Sequence, residues 1–131
     1  MRALVAVLIG GAIGTVLRLG LDDLIVHHDN GFPWSTLIAN VTGSFVLAIL
    51  VSRVWPIAPA WLRAGLGPGV LGGFTTFSAM IASMVTLAAS GDIPSALLYI
   101  ALSLVLGFGA AALGFRIALP RSTSPIIEAD E

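Results

Sequence analysis

The chain has 131 residues, 57% of them hydrophobic and 10% charged, and its mean hydropathy of +1.02 is more than a water-soluble domain sustains. At about 20 apolar residues per helical crossing of a ~30 Å hydrocarbon core, four crossings with short connections use nearly the whole length and leave no room for a soluble domain. Cysteine is absent, which excludes disulfides and thiolate-ligated metals, and a net charge of −1 with six arginines and no lysine gives nucleic acid no basic surface.

Met1-Arg2 and the apolar run behind it have the opening of a secretory leader. The run continues past Arg18 with no small-residue cleavage pattern, so it reads as the first membrane span, residues 3–25. Gly10, Gly11 and Gly14 lie in it, and the spacing of Gly10 and Gly14 lets another helix approach closely. The connection over 26–33, Val-His-His-Asp-Asn-Gly-Phe-Pro, gathers turn-forming residues and is expected in water.

Span two, residues 34–55, is bounded by Trp34 and Trp55, which suit the two membrane interfaces. Thr36, Asn40 and Ser44 recur every four residues inside it and share one helical face. Span three, residues 61–89, is too long and too rich in glycine for one plain helix. Gly65, Gly67, Pro68, Gly69, Gly72 and Gly73 loosen its first half, and the stretch Gly-Gly-Phe-Thr-Thr-Phe-Ser over 72–78 predicts a break at 72–76 near mid-bilayer. Ser90-Gly91-Asp92 ends the span. Pro94 suits the first turn of span four, residues 94–119, where Tyr99, Ser103 and Gly107 share a face. Residues 120–131 read as a polar, disordered tail.

The fold class is therefore all-α, an integral membrane four-helix bundle with a broken third helix. Arg2, Arg53, Arg63, Arg116 and Arg121 flank the side shared by both termini and the second connection, while only Arg18 lies toward the other. The excess of arginine predicts cytoplasmic termini.

No span carries a carboxylate in its interior, since Asp22 and Asp23 end span one and Asp92 sits in a turn. Proton-coupled pumps generally need such a group. The interior instead offers donors without fixed charge: the Asn40 amide, the hydroxyls of Thr36, Ser44, Thr75, Thr76, Ser78, Tyr99 and Ser103, and the positive ring edges of Phe45, Phe74 and Phe77. That inventory suits an anion. Each group also has a structural reading: membrane hydroxyls commonly bond their own backbone, a buried amide needs several partners wherever it sits, phenylalanines form cores, and Arg18 either snorkels or forms an electropositive vestibule. A break frees carbonyls that invite a cation, and with no carboxylate nearby Na⁺ fits better than Ca²⁺ or Mg²⁺. A plain glycine-mediated crossing without an ion is the alternative.

Three motifs are specific. Gly10-Gly11-Ala12-Ile13-Gly14-Thr15-Val16-Leu17-Arg18, Thr36-Leu37-Ile38-Ala39-Asn40-Val41-Thr42-Gly43-Ser44-Phe45 and the 72–78 stretch resemble the signatures of the Fluc (CrcB) family of fluoride channels across all four spans. The resemblance implies an antiparallel, dual-topology dimer in which two broken third helices cross. It implies a structural, non-transported Na⁺ held by the Gly72 and Thr75 carbonyls, and two fluoride pores. By the same resemblance Asn40 contacts permeating ions, Phe77 supplies a ring edge with Ser78 just beyond, Tyr99 and Ser103 extend a polar track, and Arg18 sits near an aqueous mouth. The departures are Met80 where the family often has a second Phe, Ala79 in place of Thr, Leu19 after the arginine, and Gly107 where a further hydroxyl is expected.

The expected function is passive export of F⁻ across the plasma membrane by a multi-pass channel that interacts with fluoride and the lipid bilayer. Its partner is itself or a paralogous subunit, the latter favoured by the unbalanced arginines. A small four-helix multidrug exporter would want an embedded Glu in span one, and a non-transporting assembly subunit would leave the break unexplained. Neither a hydrolase nor a redox enzyme finds a nucleophile–base pair or cofactor site here.

Overall fold

In hydrocarbon a spanning segment must satisfy its own backbone, so long apolar runs fold as helices. A computed structural model describes residues 1–25 and 31–119; the 120–131 tail and most of the 26–33 connection lie outside the described residues. Four helices, Arg2–Leu24, Trp34–Val54, Ala60–Ala89 and Ile93–Ala118, are long and apolar enough to cross a membrane. Their bounds fall within a residue of those expected, and the described residues contain no strand.

Span four shows how an element is started and stopped. Asp92 is its N-cap, accepting the Ser95 N–H at 3.1 Å, and hydrogen bonding from the Ser95 side chain, then from its backbone, lowers the Asp92 carboxyl from its ordinary value. Gly91 turns the chain into it with φ +86°, a left-handed conformation that glycine adopts without strain. At the far end Arg53 of span two donates from Nε to the Ala118 carbonyl at 2.7 Å and from Nη2 to that of Ile117 at 3.1 Å. The guanidinium therefore satisfies carbonyls that the helix end leaves without donors.

The two halves of span three are packed by different means. In the first half, residues 65–71 widen into a π-helix around Pro68, which has no N–H to give. Span one lies directly on it: a Cβ added at Gly10 would run into the Gly65 carbonyl oxygen, and one added at Gly14 into that of Val70. Lipid tails are as apolar as leucine, so this close approach of backbones supplies the attraction that burial alone would not. The second half, Phe77–Ala89, packs through side chains instead. Leu37 of span two, Met80 and Leu87 of span three, and Ala96 and Tyr99 of span four form one buried cluster with Phe32 and Leu102 against it.

Arg2 opens span one, Arg53 closes span two, Arg63 lies in the first helical segment of span three, and Arg116 lies in the last turn of span four. With alternating directions these gather at one end. Arg18 lies toward the other end, 3.8 Å from Asp22.

Candidate functional site

Thr75 (φ −88°, ψ 154°) and Thr76 (φ −153°, ψ 121°) are extended. The irregularity is narrower than the expected 72–76, because Gly72, Gly73 and Phe74 remain helical. Extended backbone at membrane depth needs partners, and Asn40 supplies them. Its Oδ1 accepts the Thr76 N–H at 2.8 Å, and its Nδ2 donates to the Thr76 carbonyl at 3.0 Å. The Thr76 hydroxyl caps the helix that follows by accepting the Ala79 N–H at 3.2 Å, and it lies 3.1 Å from the Ser78 hydroxyl. Thr75 turns inward, its N–H and its hydroxyl both donating to the Leu71 carbonyl. Span two comes this close because residue 43 is glycine: a Cβ there would collide with Thr75 Cγ2.

The diverted bonds have a consequence for two carbonyls. In an unbroken helix the Thr76 N–H would go to the Gly72 carbonyl, and the Ala79 N–H to that of Thr75. Asn40 takes the first and the Thr76 hydroxyl takes the second. Gly72 and Thr75 are therefore left with carbonyls lacking their helical donors. Among the described residues no group of three or more His, Asp or Glu could hold a metal, so the donor set here is neutral oxygen. Such a set suits a hard monovalent cation better than a divalent one.

A cleft of about 230 Å³ adjoins the break, lined by Asn40, Ser44, Leu47, Thr75, Thr76 and Phe77 among others. Phe77 is 72% exposed. Ser44 also lines a neighbouring groove of about 330 Å³ that includes Ser103, Gly107 and Phe108, so Ser44 and Leu47 of span two are common to a cleft against span three and a groove against span four. Arg18 and Asp22 line a third cleft, about 520 Å³, with Ser35, Thr36, Ser83 and Thr86. It forms a polar mouth at the end away from Arg2 and Arg116.

The residues expected to form one pathway are thus distributed. Asn40, Phe77 and the Thr76-bound Ser78 meet at the break, Ser103 lies on the adjoining groove, and Arg18 stands at the mouth. Tyr99 is fully buried, its ring centroid 5.6 Å from that of Phe32 in an edge-to-face arrangement and its hydroxyl without a partner among the described residues. Met80 is buried in the apolar cluster. The hydroxyls of Ser44 and Ser103 donate to the carbonyls of Asn40 and Tyr99 at 2.8 Å each, so either must give up that bond to donate elsewhere. Three features went unread in the sequence: the pairing of Asn40 with Thr76, the need for glycine at 43, and Ser83 and Thr86 at the mouth. Asn40 and Gly43 are one turn apart, which marks a face of span two without saying what it meets.

Residues 5–115 match a family described as CrcB-like protein, Camphor Resistance (CrcB). The chain is 44% identical over 119 residues to the fluoride-specific ion channel FluC 2 of Halalkalibacterium halodurans, an alignment that spans 90% of this chain and 87% of the relative. It is 41% identical to the fluoride-specific ion channel FluC of Thermus thermophilus, over 89% of this chain and 95% of the relative. It is 40% identical to that of Rhodospirillum centenum, with the same two coverages.

Proposed function

This chain belongs to the CrcB family, and we propose that it is a subunit of a passive, fluoride-selective channel that lets F⁻ leave the cytoplasm. The observation that carries this reading is the break at Thr75–Thr76, held by Asn40 beside the exposed Phe77 ring on a cleft whose polar groups are uncharged.

Fluoride is strongly hydrated, so a pore must replace its water piecewise and bind it nowhere too tightly. Asn40 keeps one Nδ2–H beyond the one given to Thr76. Phe77 offers a ring edge whose positive rim costs little to desolvate. Ser78 offers a hydroxyl at the break, Ser44 and Ser103 of the neighbouring groove offer theirs on giving up their bonds to the Asn40 and Tyr99 carbonyls, and the buried Tyr99 hydroxyl has no partner among the described residues. Arg18 attracts anions to the mouth, with Asp22 tempering the charge. The driving force is electrical: one elementary charge gains about 2.3 kcal/mol per 100 mV, outward for an anion in a cell with a negative interior.

The Gly72 and Thr75 carbonyls fit a Na⁺ shared with a second subunit set antiparallel to this one. A cation held by these carbonyls would supply fixed positive charge at the break. Among the described residues four arginines gather at one end and Arg18 lies toward the other, so the termini face the cytoplasm by the arginine bias. A paralogue of opposite bias, rather than a second copy, then forms the other half of the dimer. Purified chain in liposomes, followed with a fluoride electrode and a chloride control, tests both points. Fluoride efflux only when the paralogue is co-reconstituted supports the paired reading. Robust efflux from the single chain contradicts the pairing, and equal loss of fluoride and chloride contradicts selectivity.

A further inference from the structure

We infer that Asn40 acts as a positioning residue, holding span three open at Thr76 and so keeping the Gly72 carbonyl available to a cation, in addition to any contact it makes with an anion. This rests on the cation reading given above for Gly72 and Thr75.

The side chain is used almost as a strand would be used. Its carbonyl takes the Thr76 N–H and its amide takes the Thr76 carbonyl, so both backbone groups of one extended residue are satisfied by one side chain from another span. Two of the four hydrogen-bonding positions of a primary amide are thereby committed. The competitor for the Thr76 N–H is the Gly72 carbonyl, its partner in an ordinary helix. Take the amide away, and the Thr76 N–H must either stay without a protein partner at membrane depth or return to Gly72. An unpaired group there is the costlier choice, so the helix extends through Thr75 and Thr76. Extension occupies the Gly72 oxygen and changes where Phe77 starts. Asn40 thus links the two ions of the proposed channel through one backbone residue.

No other side chain in the described structure bonds to the Thr76 backbone. Gly43, one turn further along span two, has the complementary role of letting the break come within reach.

The test uses the full chain, labelled with ¹³C-threonine, in detergent and in lipid. Carbon shifts of Thr75 and Thr76 distinguish extended from helical backbone. Wild type should show two extended threonines. Asn40→Ala and the more polar Asn40→Ser, too short to reach Thr76, should move Thr76 to helical values; Asn40→Asp, which still accepts the Thr76 N–H, should keep it extended. In parallel, the Na⁺ concentration that half-saturates protection against thermal unfolding, with N-methylglucamine as the replacement cation, should rise about tenfold in Asn40→Ala or Asn40→Ser, the scale expected for losing one ligand oxygen to a hydrogen bond.

Threonine shifts that stay extended in both short variants would overturn the proposal, whatever happens to flux. So would shifts that move while the Na⁺ requirement stays put, since the link to Gly72 would then be absent. Failure of the wild-type protein to conduct fluoride bears on the proposed function, and the threonine shifts still decide what holds the break.

Discussion

The two halves of span three make a natural comparison. Before the break, the helix is held by backbone on backbone: Gly10 and Gly14 of span one sit where any side chain would strike the Gly65 or Val70 carbonyl. After it, the helix is held by side chains, with Met80 and Leu87 packed against Leu37, Ala96 and Tyr99. The first regime has no room for an added atom at Gly10, Gly14 or Gly73, and the second tolerates changes of shape at constant volume. The extended threonines lie where one regime gives way to the other: Thr75 still bonds back to the Leu71 carbonyl, and a single amide from span two carries the backbone hydrogen bonds of Thr76.

The contrast is broken most severely in the first half. Gly14→Leu places a branched chain against the Val70 carbonyl and within 2.9 Å of the Phe74 nitrogen, measured from its Cβ alone. It should lower stability by about 3 kcal/mol, the upper end of overpacking costs, read as a large fall in the thermal midpoint of the purified protein. Gly43→Ala should leave helix content by circular dichroism unchanged yet cut fluoride efflux by roughly tenfold, because the new methyl meets Thr75 and pushes the break away from Asn40. Full efflux from that variant would mean that the spacing of spans two and three is not critical.

In the second half the expected effects are smaller. Leu87→Met keeps volume in the side-chain cluster and should cost under about 1.5 kcal/mol, with efflux retained. The smallest effect belongs to Asp92, outside the membrane. Its carboxyl is lowered by bonding to Ser95, so its contribution is present above the ordinary carboxylate pKa and is lost as pH falls through the lowered value. The thermal advantage of wild type over Asp92→Ala should therefore be full at neutral pH and shrink in acid. An advantage that grew in acid would reverse the sign.

Much of this was legible in the chain itself. Hydropathy and run length place all four spans within a residue because the bilayer sets helix length. The motifs around Arg18, Asn40 and 72–78 point to the family that the matched residues 5–115 then establish. The extended stretch is narrower than the glycine pattern suggests because Gly65, Gly69 and Gly73 serve close approach to span one, and the extended backbone falls on two β-branched threonines, residues that favour it. Asn40 and Thr76 are 36 positions apart, so their pairing exists only in the folded chain. Met80 follows Phe77 by three residues, about 60° short of a full helical turn. That offset spans the edge of the core, so Phe77 lies outside and Met80 inside.

The central claim is that this polar, uncharged path past Asn40 and Phe77 conducts fluoride and rejects chloride. The most direct measurement is the reversal potential of vesicles holding the chain, with its paralogue where one is required, under opposed fluoride and chloride gradients. A reversal at the fluoride equilibrium potential is the predicted result; a reversal midway between the two equilibrium potentials would contradict it.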